Sequence, residues 1–163
     1  MADKDLKALF HYTLKDTYFA ENAILKALPQ MAQAAQSEEL RGAFGVHLEE
    51  TQTQVKRLEQ VFQMLGAKPE GVECKAIQGI LEEGQEVIQE FDGGEALDAG
   101  LIAAAQAVEH YEITRYGTLL AWAKQLGLGE AEGLIKETLI EEENTDQVLS
   151  ELAEDAVNPA AAA

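Results

Sequence analysis

Basic residues are scarce in this chain of 163: Lys and Arg together number 12 against 30 Asp and Glu, a formal net charge of -18. A surface so rich in anions repels phosphate backbones and anionic lipid headgroups and concentrates cations, which argues against nucleic acid and membranes as partners. Cysteine is reduced to Cys74, so no internal disulfide can form, and no Cys/His pair has the spacing of a zinc site. The β-formers Val, Ile and Thr supply only 24 residues, whereas Ala supplies 26, Glu 23 and Leu 20. That balance excludes an all-β or Rossmann-type fold. Long apolar runs are missing too. The longest, Leu101 to Val108, is interrupted by Gln106 and closed by Glu109, well short of the ~20 residues of a membrane span. The opening MADKDLKALF lacks the basic flank and apolar stretch of a secretory signal. These absences predict a soluble, cytoplasmic protein.

What is present is helical periodicity, broken at clear points. The first long segment runs from about Asp3 to Gln36, with Leu6, Phe10, Leu14, Thr17, Glu21, Ile24 and Leu28 in phase. Pro29 predicts a kink or an early end there. Ser37 is placed to cap a second segment that reaches Leu65, ended by Gly66 and Pro69. A shorter amphipathic helix follows from about Glu73 to Phe91, with Cys74, Ile77, Leu81, Ile88 and Phe91 on its apolar side. The third long segment spans about Glu95 to Leu126 and the fourth about Glu130 to Ala156. Tight turns inside each pair, and a long connection between pairs, predict an all-α four-helix bundle with one long crossover carrying the additional short helix. Residues 1–157 form one domain on this reading, and 158–163 a disordered C-terminal tail.

Several acids occupy positions that should be apolar. In the fourth segment the stripe Ile135, Leu139, Glu142, Asp146, Leu149 advances by four and three residues in turn, which points Glu142 and Asp146 inward. The third carries Glu109 and Glu112 between Ala105 and Tyr116, and the first carries Glu21. On the second, His47 lies on the stripe and Glu50 at its edge. Measured from the turns, Glu21, Glu50, Glu109, Glu112 and Glu142 all fall near mid-helix, within roughly one turn of ~5.4 Å of one height. A single acid on an apolar stripe is commonly a ragged edge facing water. Coincidence in phase and height on four helices points instead to one buried cluster. Burying several unpaired anions costs several kcal/mol each, and no Lys or Arg lies on these stripes between the acids. Two divalent metal ions would neutralise the cluster and use its oxygens, and carboxylates with one imidazole suit iron or manganese.

The stretches His47-Leu-Glu-Glu-Thr, Val108-Glu-His-Tyr-Glu-Ile with Tyr116-Gly-Thr-Leu, and Lys136 to Asp146 resemble the YciE/YciF-type ferritin-like proteins, small bacterial stress-associated proteins. The resemblance runs from about Leu6 to Ala153. It implies a ferritin-like bundle, a homodimer and a di-metal centre. Ferritin-like sites combine single glutamates on two helices with Glu-x-x-His on two others. By position, Glu21 and Glu109 match the single glutamates and Glu50 and Glu142 the bridging ones, with Glu112, Asp146 and His47 as further ligands. The histidines depart from the pattern: Thr53 and Thr145 stand where imidazoles belong, and His47 precedes Glu50. The paired Glu109 and Glu112 resemble the doubled glutamates of the rubrerythrin branch. His110, turned ~100° from Glu109, is expected to face a neighbouring helix.

Two functions from different classes follow. One is a non-haem di-iron or di-manganese oxidoreductase reacting with dioxygen or peroxide, its stress context drawn from the resemblance. The other is a non-enzymatic helical stress-response bundle that works through dimer or partner contacts, with a structural ion or none. An iron-storage cage fits less well, because the chain ends in Asn158-Pro-Ala-Ala-Ala-Ala rather than in a further helix.

Overall fold

A computed structural model describes residues 4–163. Five main helices account for most of it: α1 Leu6–Ala34, α2 Glu38–Met64, α3 Lys75–Glu90, α4 Leu97–Gln125 and α5 Gly129–Leu152. No strand occurs among the described residues. The predicted start at Asp3 lies outside them; α1 begins after Asp5, whose carboxylate accepts the Ala8 N–H at 2.8 Å. Ser37 caps α2 as its sequence position predicts, accepting from Leu40 N. Pro29 does not end α1. It sits on the exposed outer side and the helix continues to Ala34, because a proline facing water forfeits one backbone hydrogen bond without displacing a packed neighbour.

Gly66 and Gly127 end α2 and α4 in the same way, with φ of +68° and +69°. At the first, Ala67 N–H donates to Phe62 O at 2.9 Å; at the second, Leu128 N–H donates to Ala123 O at 2.9 Å. These bonds satisfy carbonyls that the helix end would leave without partners, and the left-handed φ is accessible to glycine at no steric cost. Helical structure does not stop at Ala156. A π-helical turn, Ala153–Val157, leads into the short α6, Asn158–Ala161. The Asn-Pro pair, read from sequence as a breaker, is accommodated because proline is tolerated in the first turn of a helix.

The helices α1, α2, α4 and α5 pack as a bundle, and α3 lies against α1 and α4. Its apolar side differs from expectation at one end: Ile77 and Gly84 are buried, but Phe91 is half exposed. Small residues bring α3 close to α4, and a Cβ on Gly100 would stand 2.5 Å from Val87 Cγ1.

The core is in two parts. One joins Ala20, Ile24, Leu28, Phe44, Leu101, Ile102 and Leu149; the other joins Phe10, Leu14, Leu58, Phe62, Tyr116, Leu119 and Ile135. Between them, on all four bundle helices, lies a buried polar layer: Thr17 and Glu21, His47, Thr51 and Gln54, Glu109 and Glu112, Thr138 and Glu142. The threonines pose no electrostatic problem. The Thr17 and Thr51 hydroxyls donate to the carbonyls of Thr13 and His47 one turn back, at 2.9 and 2.8 Å. The acids do pose one.

Candidate metal centre

His47 from α2, Glu109 and Glu112 from α4 and Glu142 from α5 each offer a ligand atom, and these atoms all lie within 4.8 Å of one another. None of the four side chains is more than 2 % exposed. His47 Nδ1 is 3.2 Å from Glu109 Oε1 and its Nε2 4.0 Å from Glu142 Oε2. Neither nitrogen has a directed hydrogen bond, and the same holds for both oxygens of Glu109, Glu112 and Glu142. Buried polar atoms are nearly always paired in native proteins. Such a concentration of orphaned buried atoms at one point could hold a metal ion.

Glu21 borders this cluster from α1. Its Oε1 accepts the Tyr116 hydroxyl, while Oε2 has no partner and is fully buried. Tyr116 belongs to one of the core clusters, and its hydroxyl is also the hydrogen-bond donor to a buried acid. Its hydroxyl, one turn beyond Glu112, is the signal that could have revealed this.

The electrostatics follow from burial. Desolvation first, and then the charge of Glu142, raise the Glu21 carboxyl to about 8, against the lowering influence of the neighbouring Glu112 carboxyl and of the Tyr116 hydrogen bond. Burial raises Glu142 to about 7, with the adjacent Glu109 and Glu112 carboxyls acting in the other direction. Glu109 and Glu112 are pushed well above the carboxylate range, chiefly by burial and further by neighbouring acids. Desolvation lowers His47 to about 4, which leaves it a neutral imidazole able to offer a lone pair. Without a cation the site holds protons that a metal ion would displace.

The remaining predicted residues are placed at the margin. Glu50 is half-buried, and its Oε2 accepts the Thr145 hydroxyl at 3.2 Å. Asp146 is half-buried; its Oδ2 lies 3.1 Å from Nε2 of the exposed His110, and Gln106 donates to its Oδ1 at 3.1 Å. His110 thus faces α5, the neighbouring helix, as its angular offset predicts. Burial on Glu50 still raises its carboxyl. Glu141, next to Glu142 in the chain, is half-buried and held by both terminal nitrogens of Arg57 at 2.7 Å. A bidentate guanidinium makes this the best-satisfied acid near the layer.

A family model described as a domain of unknown function, DUF892, matches residues 5–162. Protein YciF of Escherichia coli K12 is 46% identical over 156 residues, covering 95% of this chain and 94% of that one. The crystal structure of the E. coli stress protein YciF superposes with a TM-score of 0.91 over 96% of this chain and 99% of that one. YcfI of Rhodopseudomonas palustris gives 0.88 at 45% identity, over 90% and 94% of the two chains. With matches that span nearly its whole length, the chain belongs to the DUF892 family of YciF-type proteins.

Proposed function

We propose that this protein is a ferritin-like bundle whose polar layer holds a pair of iron or manganese ions, and that it is an oxidoreductase acting on dioxygen or a peroxide. The observation that carries the proposal is the set of fully buried carboxylate and imidazole atoms without hydrogen-bond partners. The topology supports it. Contacts from Glu50, Gln54 and Arg57 fall on Thr145, Glu141 and Thr138, an antiparallel register of α2 and α5, and Asp98 of α4 reaches Gln36 at the end of α1. With α1 also antiparallel to α4, the connection through α3 is the long crossover of a ferritin-like chain.

In this reading His47, Glu109, Glu112 and Glu142 form the heart of the ligand set, Glu21 borders it, and Glu50 and Asp146 complete it from the margin. A bound metal pair supplies the two electrons needed to reduce dioxygen or a peroxide. The chain's own groups do the rest. The two apolar core clusters exclude bulk water above and below, Tyr116 fixes the orientation of Glu21, and the carboxyls whose affinity for protons is raised by burial give up those protons when a metal ion binds. The description of the E. coli relative YciF as a stress protein supports a protective role, and the resemblance supports a homodimer. No helix is long and apolar enough to cross a membrane.

A second reading is favoured by the tightness of the cluster: four ligands converging within 4.8 Å make one good position rather than two. A bundle with a single structural ion, acting through partner contacts, would look like this. Elemental analysis after anaerobic reconstitution with ferrous iron separates the two. Two ions per chain, and an optical change on adding peroxide, support the oxidoreductase; one redox-silent ion supports the structural bundle. The variant Glu109→Ala/Glu142→Ala should hold no iron, and a variant that keeps the wild-type content overturns the assignment.

A further inference from the structure

Two small voids lie between α1, α3 and α4, of about 20 and about 10 Å³. The outer one opens beside the exposed Gln30 and Gln85 and is lined deeper in by the buried Met31 and Gly84. Gly84 leaves its share of the space open, since a Cβ there would already touch Ala104 Cβ at 3.4 Å. The inner void shares Ala27, Met31, Leu81 and Val108 with the outer one and ends on His47. Together they trace a line from the surface beneath α3 to the imidazole of the ligand cluster.

Their chemistry selects what can travel along that line. Apart from His47, the inner void is walled by aliphatic side chains and the Met31 thioether. A water molecule, and equally a peroxide, needs several polar partners that such walls do not offer, so apolar voids stay dry and take up apolar guests. A void needs ~10–15 Å³ to admit one water-sized molecule, so spaces of about 20 and 10 Å³ exclude any organic substrate and take a diatomic only as their side chains yield. Met31 stands between the two, and its unbranched, flexible chain is suited to yielding as a guest passes.

We propose that these linked cavities are the entry path and holding site for dioxygen on its way to the carboxylate cluster. The inference rests on the metal-centre reading above and narrows its oxidant from dioxygen or peroxide to dioxygen by this route.

Xenon is the probe for the path, because it reports apolar voids without any metal. Crystals of the metal-free, full-length protein under xenon pressure should show the gas among Ala27, Met31, Leu81 and Val108. Leu81→Phe should displace it, and Leu81→Ala should raise its occupancy. In the ferrous-loaded protein, Leu81→Phe should slow oxidation by dioxygen about tenfold, leaving iron content and the rate with hydrogen peroxide unchanged, while Leu81→Ala should match or exceed the wild-type rate with dioxygen. If Leu81→Phe does not fold, Ala27→Leu fills the same space and carries the same expectation. Absence of xenon from a chain that does bind iron overturns the path alone. Equal slowing of both oxidants, or of neither, also overturns it. A chain that binds neither iron nor manganese overturns the metal-centre reading, and the dioxygen path falls with it whatever xenon does.

Discussion

The Tyr116 hydroxyl, on α4, donates to Glu21 Oε1, on α1, and neither side chain has measurable contact with water. The bond is the one satisfied valence of an acid whose other oxygen has no partner. Removing it with Tyr116→Phe leaves both oxygens unsatisfied, at a cost of about 1–3 kcal/mol. The midpoint of urea unfolding should fall accordingly with the slope unchanged. Because that bond also lowers the Glu21 carboxyl, its loss should raise the affinity of Glu21 for a proton. An unchanged midpoint would show that Glu21 finds another donor when the phenol is gone.

Replacing a ligand with an apolar residue should act in opposite directions on stability and on metal binding. Glu112 is 1 % exposed, with both oxygens unpaired. Glu112→Leu removes a buried ionisable group and fills most of its volume, a change that in other proteins gains about 1–4 kcal/mol. Denaturation of chelator-treated protein at pH 8 should therefore show the variant more stable than wild type, while its iron content falls. Lower stability in the variant would mean that the acids support one another in ways their unpaired oxygens do not reveal.

Acidity should stabilise the metal-free protein. Glu21 and Glu142, raised to about 8 and about 7 by burial, keep their protons in the folded state where the unfolded chain has lost them. Folded protein then binds more protons than unfolded, so stability falls as pH rises from the ordinary carboxylate range through these values, by up to 1.4 kcal/mol per pH unit for each extra proton held. His47 opposes this at lower pH. Lowered to about 4 by burial, it makes the unfolded chain the better proton binder up to about 6.5. Between about 6.5 and 8 the carboxyls act alone, and the melting temperature of metal-free protein should decline steadily. Metal-loaded protein should lose that decline, because ions take the place of the protons.

The helix ends and the polar layer were legible in the sequence because both depend on local spacing. Gly66, Gly127 and Ser37 mark chain geometry that glycine and serine serve better than other residues, and Glu21, Glu109, Glu112 and Glu142 fall in phase with aliphatic neighbours. What periodicity could not resolve was the edge of each stripe. Asp146 follows Glu142 by one turn, but four residues span ~400° rather than 360°, and that drift turns Asp146 toward His110 and Gln106. Glu50, three residues beyond His47, drifts the other way and meets Thr145. The role of Tyr116 and the satisfaction of Glu141 by Arg57 depend on which helices become neighbours, which no single helix encodes. The continuation through Asn158 and Pro159 was missed because the residues read as a terminator are equally acceptable in a first turn.

The end of the bundle where α1 turns into α2 offers a test of stability separate from the site. Asp98, in the first turn of α4 and 7 % exposed, accepts the backbone N–H groups of Gln36 and Ser37 at 2.8 and 2.7 Å. One carboxylate thereby fastens the α1–α2 turn to the start of α4, and at a helix N-terminus its charge is favoured by the helix dipole. Hydrogen bonds to a charged acceptor contribute about 1.5–3 kcal/mol each, less where water can compete. Asp98→Ala should lower stability by about 2–4 kcal/mol on that basis, and Asp98→Asn, which keeps one acceptor oxygen, by roughly half as much. Hydrogen exchange at the Gln36 and Ser37 amides should accelerate in both variants. Iron content should not change, because the polar layer lies nearer the middle of the bundle. A loss of iron in Asp98→Asn would mean instead that the position of α4, set at its first turn, controls how Glu109 and Glu112 meet His47.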